Sequence, residues 1–365
     1  MELIHSPVAM EGKGAYNRHS RIPADGGALA IPYLEKAAQT ARLDPQTAGF
    51  DPQDQPIVVA DYGSSQGKNS LAPISAAIRT LVPRLRTNRP IYVFHIDRPS
   101  NDFNSLFELL STDPNRYAVD GANVFPCAIG RSFYEQVLPA DSVHLGWCSY
   151  AAVWLSRVPC LIPGHFFPPC STGETRAAFA RQAAEDWKTF LSLRAREMRT
   201  GARLVVVLPG LPDHGISGFL DLMNHANAVL EEMADDGAIT HEERKRMVLA
   251  AYGRRKDELL APFQEGSSFQ GLVVENLDIS PLPDTAWADY ERDGDPEALA
   301  TKKALFFRAV FMPSLASALT QVRNGDAQAL SSFADRLQHG LTRRLAKHPA
   351  RADMFVETIV LAKCG

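Results

Sequence analysis

Two aspartates each close an apolar run that has the length of a buried strand. Asp61 follows residues 56–60, and Asp97 follows residues 91–96. The carboxyl ends of neighbouring parallel strands meet at one edge of a sheet, so we expect both carboxylates there. A carboxylate can accept hydrogen bonds from both hydroxyls of a ribose. Either aspartate alone is equally well explained as a helix cap, but the pair predicts a site for a ribose-bearing cofactor.

A glycine-rich turn, residues 63–69, follows Asp61 directly. Glycine lets a ligand approach the backbone closely, and the start of the next helix presents free N–H groups. The spacing around Gly67 and Lys68 differs from that of a phosphate-binding loop. S-adenosylmethionine (SAM) is therefore a better candidate for the cofactor than NAD.

The same turn fits G-x-S-x-G, the pattern around the nucleophile of α/β-hydrolases, with Ser65 in the nucleophile's place. Four histidines downstream could supply the base of such a hydrolase: His214, His225, His339 and His348. That activity has no need of Asp61 or Asp97, so hydrolysis is kept as the less favoured alternative.

The bulk composition is that of a globular enzyme. The chain has 365 residues, of which 45% are hydrophobic and 22% charged, and its net charge is −4. Lysine and arginine are spread along the chain, so we expect no nucleic acid partner and no membrane partner. The five cysteines form no C-x-x-C pair, and no apolar stretch reaches the roughly 20 residues of a membrane span. The N-terminus lacks a signal-peptide pattern, and we expect a cytoplasmic protein with reduced thiols.

Short apolar runs alternate with helical patterns, which predicts an α/β fold with a mostly parallel sheet of about seven strands. The predicted strands are 56–61, 91–96, 122–128, 142–147, 203–208, 270–277 and 355–363. The predicted helices are 70–87, one beginning at 101, 174–200, two within 217–262, 297–323 and 326–347. Residues 280–296, rich in proline and aspartate, are predicted to form an exposed loop.

We expect a single domain over residues 1–365. The sheet core is expected mainly in three stretches, 50–160, 201–210 and 268–365. The other stretches, 161–200, 211–262 and part of 297–347, are expected to form a helical cap over the substrate pocket. Such a cap would exclude water from the reaction.

Five segments together resemble the SABATH family of methyltransferases, which use SAM to methylate the carboxylates of small apolar acids and, in some members, ring nitrogens. The segments are 10–20 (MEGKGAYNRHS), 61–69 (DYGSSQGKN), 97–107 (DRPSNDFNSLF), 132–134 (SFY) and 149–159 (SYAAVWLSRVP). They occur in the family's order, and the resemblance covers most of the chain. It implies a Rossmann-like SAM methyltransferase sheet with an inserted helical cap, and a homodimer.

By this resemblance, nine residues belong to the cofactor site: Tyr16, Ser20, Asp61, Gly63, Asn69, Asp97, Arg98, Ser132 and Phe133. Asp97 would accept the ribose hydroxyls. Asp61 and Asn69 would hold the ammonium at the methionine end, and Phe133 would cover the adenine.

Trp154 is the residue that the resemblance assigns to the substrate carboxylate. An indole N–H only donates hydrogen bonds, and it is carried on a large apolar ring. Tyr150, placed one helical turn earlier, would share the same wall, and these two are the predicted catalytic residues. Val153, Phe307 and Val310 would line the substrate pocket, although core packing explains these three nearly as well.

The expected substrate is a small apolar carboxylic acid of the aromatic, indolic, terpenoid or fatty type. Such an acid is already ionised at pH 7, so its oxygen can attack the methyl carbon in line without a general base. Alignment of the reactants would then supply most of the rate enhancement. Methylation of a heterocyclic nitrogen is the alternative, and a SAM-binding protein without turnover is a third possibility.

The sequence departs from the family pattern at two places. In carboxyl-methylating members a glutamine gives the substrate carboxylate its second donor, and here that position is Pro23, which has no donor. His19 and His144 are candidates to replace it, although a histidine on an apolar strand is more often a core residue. Some plant members bind a divalent ion through a segment that aligns with 245–252, where the ligand asparagine is Val248. We therefore predict no metal.

Overall fold

The computed structural model describes residues 8–43, 55–85, 89–118, 123–212, 215, 217–263 and 268–365. Seven strands form one sheet: β1 (Ile57–Tyr62), β2 (Ile91–Asp97), β3 (Val124–Gly130), β4 (Val143–Ser149), β5 (Met198–Gly210), β6 (Leu272–Leu282) and β7 (Met354–Lys363). Each overlaps a strand predicted from the sequence. Within the sheet their order is β3-β2-β1-β4-β5-β7-β6.

The sheet is mostly parallel. Strands β1 to β5 pair in parallel with their neighbours, for example with Val59 of β1 opposite Val93 of β2 and Leu145 of β4. β7 lies antiparallel between β5 and β6, with Val360 opposite Val205 of β5. The predicted α/β fold with a mostly parallel sheet of about seven strands is confirmed.

The sequence of the central strands follows from their burial on both faces. All six residues of β1 are buried, and so are the first six of β4. When helices cover a parallel strand on both sides, neither face contacts solvent, so its sequence is a continuous apolar run. Asp61 is the exception within β1, and its carboxylate has a buried partner described below.

The helices are α1 (Ala15–His19), α2 (Arg21–Leu29), α3 (Ile31–Thr40), α4 (Lys68–Leu81), α5 (Phe103–Thr112), α6 (Gly173–Glu197), α7 (Leu220–Asp235), α8 (His241–Arg246), α9 (Lys256–Leu260), α10 (Thr285–Asp293), α11 (Pro296–Val310), α12 (Met312–Ala316), α13 (Thr320–Arg323) and α14 (Ala327–Lys347). The helix that begins near residue 101 starts at Phe103, because the side chain of Asp102 caps it by accepting from the Ser105 N–H.

Helices cover both faces of the sheet. α3, α4 and α5 pack on one face, and α6 packs on the other through Trp187 and Phe190. A separate apolar cluster joins α7, α11, α12 and α14 beside the sheet. The boundaries between sheet core and cap stay a prediction, since α6, expected in the cap, contributes directly to the covering of the sheet.

Three of the predicted element assignments are wrong. Residues 280–296 include the end of β6 and helix α10, which Asp284 caps by accepting from the Trp287 N–H at 3.0 Å. The helix predicted over 297–323 is three helices, with Pro313 in the first turn of α12. The second helical segment within 217–262 is broken between α8 and α9, where Leu155 N–H donates to the Ala250 carbonyl. Helices α1 to α3 had no predicted counterpart.

None of the helices in the described ranges is long and apolar enough to cross a membrane. All five cysteines are free thiols.

Candidate active site

A cavity of about 170 Å³ lies at the carboxyl edge of the sheet. The strand order reverses between β1 and β4, since β2 and β3 extend to one side and β5 to the other. Ligands of open α/β sheets bind at such a reversal. The cavity wall contains Gly63 after β1, Asp97 at the end of β2, Tyr150 after β4 and Gly210 at the end of β5.

Asp97 offers a carboxylate to this cavity. One of its oxygens accepts from the Ser65 N–H and the other from the Arg98 N–H, both at 2.7 Å. Burial raises the pKa of Asp97 to about 6, against the effect of these two backbone bonds. Each oxygen keeps a free lone pair, so the carboxylate can accept from two neighbouring hydroxyls.

Gly63 permits a close approach of two turns of the backbone. Its φ is 86°, and a Cβ at this position would lie 2.1 Å from the Cβ of Ala151. The glycine is therefore required by the packing of the β1 turn against the β4 turn. It keeps both turns at the cavity wall.

Tyr16 lines the cavity and is held by two other predicted cofactor residues. Its hydroxyl is hydrogen-bonded to the side chains of Asn69 and Ser20, and Asn69 Nδ2 also donates to Ser20 Oγ at 3.0 Å. Burial raises the pKa of Tyr16, so the hydroxyl stays protonated. Ser20 and Asn69 are not among the described residues of the cavity wall, and they act on Tyr16.

Asp61 is 1% exposed and belongs to a buried polar group. Its Oδ2 lies 2.8 Å from Nδ1 of His95, whose Nε2 lies 2.6 Å from the Tyr117 hydroxyl. Within the described residues, Asp61 does not form part of the cavity wall. A direct contact between Asp61 and the cofactor stays a prediction.

A buried ion pair of α6 fixes the loop that carries Ser132 and Phe133. Both residues line the cavity, as does Arg98. Arg194 of α6 donates to the carbonyl of Phe133 at 2.8 Å and to that of Glu135 at 3.1 Å. Its charge is balanced by Glu197, 2.9 Å away, and both side chains are fully buried.

Glu197 ties this ion pair to the sheet. Its Oε2 accepts from the Tyr62 hydroxyl at 2.8 Å, and its Oε1 accepts from the Val137 N–H at 2.7 Å. The guanidinium of Arg194 lies 4.2 Å from the centre of the Tyr62 ring. Partners in β1, α6 and the loop after β3 therefore meet most of the polar groups of this pair, while Nε of Arg194 has no hydrogen-bond partner among the described residues.

Trp154 and Tyr150 lie in a turn, so the expected separation of one helical turn between them is wrong. Tyr150 has a φ of 56°, and its N–H donates to the Val207 carbonyl at 2.8 Å. The chain therefore keeps its bond to β5 for one residue past β4 and then turns sharply. Trp154 pairs with Ala251 in an isolated bridge, and both aromatic side chains still line the same cavity.

The Tyr150 hydroxyl is buried without a hydrogen-bond partner among the described residues. Gly26 makes room for it, since a Cβ there would lie 2.3 Å from the hydroxyl oxygen. Burial raises the pKa of Tyr150, so it remains a donor at neutral pH. The indole N–H of Trp154 likewise makes no hydrogen bond to another described residue, which leaves two donors at the cavity for a ligand.

Val153 and Val310 line the cavity as predicted, but Phe307 does not. Phe307 is buried in the apolar cluster of the cap, with its ring 6.0 Å from that of Phe166. The cavity wall instead contains Phe306, which is four residues before Val310 and so lies on the same face of α11. Phe311, at the end of the helix, joins them.

Neither histidine that could replace the missing glutamine belongs to this cavity. His144 lies within β4, with Nδ1 3.1 Å from the Val58 backbone nitrogen and Nε2 2.8 Å from Arg199. Burial lowers the pKa of His144 to about 3. His19 lies at a second cavity, described below, while Pro23 itself is in the wall of the first.

Among the described residues, no base contacts Ser65, the nucleophile of the hydrolase alternative. Ser65 has a φ of 48°, as a nucleophile on a sharp strand-to-helix turn would, and lines the cavity. Its hydroxyl has no hydrogen-bond partner in the described part of the chain, and an unassisted serine is a weak nucleophile. His225 and His348 stack on each other with ring centres 5.9 Å apart, and His214 lies outside the described residues.

No three histidine, cysteine or acidic side chains in the described ranges are grouped as metal ligands. Val248, at the position of the family's ligand asparagine, is buried in an apolar cluster with Leu155 and Phe179.

Residues 6–363 match the sequence model of a family described as SAM-dependent carboxyl methyltransferase. Methyltransferase LUC1 from Fusarium sp. is 28% identical over 71% of this chain and 67% of its own length. Gibberellic acid methyltransferase 2 from Arabidopsis thaliana is 26% identical over 80% of this chain and 79% of its own. The structure of loganic acid methyltransferase with SAH superposes on 98% of this chain and 99% of its own, with a TM-score of 0.76 at 22% identity. That superposition confirms the predicted Rossmann-like methyltransferase fold.

Proposed function

This chain belongs to the SABATH family of SAM-dependent carboxyl methyltransferases, and on that premise we propose that it forms the methyl ester of a small, largely apolar carboxylic acid. The acceptor side of the cavity supports an apolar substrate, because Phe306, Val310 and Phe311 lie in its wall. Two of the similar proteins are named for the acids that they methylate, gibberellic acid and loganic acid.

The observation that carries the proposal is the pair of unused donors at this wall. The Tyr150 hydroxyl is buried without a partner among the described residues, and the Trp154 indole N–H makes no bond to another described residue. An unpaired buried donor costs about 1–3 kcal/mol, so a carboxylate that accepts from both would bind favourably. We propose that Tyr150 supplies the donor that the family's glutamine gives elsewhere and that Pro23 cannot give.

The residues of the cavity fit SAM. Asp97 has two lone pairs free for the ribose hydroxyls, and Tyr16, Phe133 and Gly63 lie in the same wall. When bound, SAM supplies a methyl group on a positively charged sulfur. The chain itself holds the acid by Trp154 and Tyr150, orients its oxygen and excludes water with aromatic side chains. An ionised acid gives up no proton, so no residue has to act as a base.

We also propose a homodimer, and a cytoplasmic location in which the five free thiols stay reduced. An aromatic group on β2 and β3 supports a partner surface, because Phe125 is 46% exposed and its ring lies 5.5 Å from that of Tyr92. Light scattering of the purified protein gives the oligomeric state. Phe125→Asp should convert a dimer through this surface into monomers, whereas a protein that is monomeric before substitution overturns the proposal.

The enzyme assay uses methyl-labelled SAM with a panel of aromatic, indolic, terpenoid and fatty acids. We expect an extractable product that loses its label in mild base, as a methyl ester does. Tyr150→Phe and Trp154→Phe should each lower kcat/KM for the acid by about tenfold, with SAM affinity changed less than twofold. Tyr33→Phe is the matched control, since its hydroxyl bonds to Asp278 outside the cavity.

Two results would overturn this proposal. A base-stable label would show transfer to nitrogen. Unchanged kcat/KM in both Tyr150→Phe and Trp154→Phe would show that neither residue binds the acid.

A further inference from the structure

A second cavity, of about 270 Å³, adjoins the first. The two share four wall residues: Gly218, Phe219, Phe306 and Met354. The rings of Phe219 and Phe306 stack with their centres 5.8 Å apart and their planes within 19°. This aromatic pair is therefore the partition between the acceptor side of the first cavity and the second cavity.

The second cavity differs from the first in charge. Its wall has five cationic side chains, namely Arg18, Arg21, Lys302, Lys303 and Arg351. Three aspartates, 221, 284 and 289, oppose them. Asp289 is paired with Lys302 at 2.8 Å, and Asp284 lies 3.7 Å from Lys303. With these two pairs set aside, three arginines and one aspartate remain in the wall. Arg21 and Arg351 each also lie within 4 Å of an aspartate outside the wall, Asp25 and Asp353.

Arg351 is a cation of this wall that is available to a ligand. Its side chain is 64% exposed, and the carboxylate in contact with it, Asp353, is 3.9 Å away. Arg21 reaches Asp25 at 3.4 Å, and Arg18 donates to the Lys13 carbonyl at 3.0 Å. A distal anion would thus meet guanidinium groups, which bind carboxylates in a bidentate geometry.

We propose that the second cavity binds a second carboxylate at the far end of the acid substrate. The inference rests on the proposed function and specifies its substrate class as an elongated dicarboxylic acid with an apolar middle. One carboxylate lies at Tyr150 and Trp154, the apolar middle crosses the partition, and the other carboxylate lies among the arginines. Phe219 is the residue that must turn, since it is half-buried in the turn before α7, whereas Phe306 is buried within α11.

The test compares acids of equal length that differ only at the far end, with a carboxylate, an amide or a methyl group there. We expect kcat/KM for the diacid to exceed that for the other two by about tenfold at low salt, as one or two exposed ion pairs would give. The preference should shrink at high ionic strength. Arg351→Glu should reduce the preference for the diacid at least fivefold, while turnover of the methyl-ended acid stays unchanged.

Arg181→Glu is the matched control, because Arg181 is equally exposed and pairs with Glu174 on α6. Phe219→Ala joins the two cavities and should raise kcat/KM for long diacids more than for short monoacids. If all three acids react equally in the wild type and in Arg351→Glu, this inference is wrong and the proposed esterification stands. If no acid in the wider panel is methylated, the proposed function itself is wrong.

Discussion

The hydroxyl of Tyr134 donates a hydrogen bond of 2.6 Å to the backbone carbonyl of Trp154. Tyr134 follows Phe133, which lines the cavity and whose carbonyl accepts from Arg194. Arg254 holds the same turn as Trp154 by donating to the Ala152 carbonyl at 2.6 Å. The loop that we propose for the cofactor and the turn that we propose for the acceptor are thus bound directly to each other.

Tyr134→Phe should therefore impair the acceptor site more than the cofactor site. Loss of one bond of this kind costs about 1 kcal/mol, so we expect kcat/KM for the acid to fall about 5- to 10-fold. Calorimetry should show SAM affinity within twofold of the wild type. Tyr33→Phe serves again as the control, and a variant that loses SAM affinity alone would contradict the role given to this bond.

Arg194→Met should destabilise the protein through the charge that it leaves behind. Glu197 would stay buried without its cation, a change that costs about 3–5 kcal/mol in the free energy of unfolding. Denaturant unfolding measures that loss. Adding Glu197→Gln should recover part of the stability but not SAM affinity, because the Phe133 carbonyl still lacks its donor. Equal recovery of stability and SAM affinity in the double variant would show that Arg194 acts only on the stability of the fold.

Pro23→Gln should rescue Tyr150→Phe. Pro23 and Gly26 are three residues apart on α2, and the Tyr150 hydroxyl lies in the space that a Gly26 side chain would occupy. A glutamine at position 23 restores a donor beside the same cavity. We expect kcat/KM of the double variant to be at least threefold higher than that of Tyr150→Phe. Pro23→Gln alone should change kcat/KM little. Additive losses would mean that the two positions do not serve one carboxylate.

SAM affinity should fall as the pH drops below about 6. Burial raises the pKa of Asp97 to about 6 in the free protein, and protonation removes an acceptor for the ribose hydroxyls. The same shift means that Asp97 adds most to stability below its unfolded pKa of about 4, and that this contribution is lost as the pH rises through 6. Asp97→Asn should bind SAM at least tenfold more weakly at pH 8 and without this pH dependence. A wild-type affinity that is flat from pH 5 to 8 would contradict the assignment.

Glu357→Gln should stabilise the protein at alkaline pH. Glu357 is a buried residue of β7, its Oε2 has no partner among the described residues, and burial raises its pKa to about 7. The folded protein binds this proton more tightly than the unfolded chain, so the wild type loses stability as the pH rises through 7. Between pH 5 and pH 8, the free energy of unfolding of the variant should rise relative to that of the wild type by on the order of 1–3 kcal/mol. Denaturation at both pH values measures the gain, and a pH-independent difference would contradict it.

The sheet could be predicted from the sequence because the strands buried on both faces are marked by their own composition. The position of Asp97 at a strand end likewise follows from the chain order alone. The turn at Tyr150 could not be predicted, since the positive φ of Tyr150 accompanies a bond from its N–H to Val207 in β5. The bond between Tyr134 and Trp154 spans 20 residues, and that between Arg194 and Phe133 spans 61. Such partners are set by tertiary packing.

Two of the sequence errors had a local signal. Asp284 before α10 and Pro313 in α12 are both residues that favour helix starts, and they mark the boundaries that the prediction placed elsewhere. The choice between Phe306 and Phe307 had no decisive local signal, because they lie four and three residues before Val310 and helical spacing allows either on its face. The packing of α11 determines which of the two faces the cavity.

The antiparallel position of β7 has a consequence for how the protein is made on the ribosome. Within the described residues β6 pairs only with β7, and β5 has β7 as its neighbour on that side, so residues 354–363 must emerge before either strand is fully paired. Until then a nascent chain exposes β5 as an open sheet edge, which invites pairing with other chains. Met354 and Phe355, which line the cavity, arrive in the same step. Ligand binding and protection from aggregation are thus acquired together, once residues 354–363 have emerged.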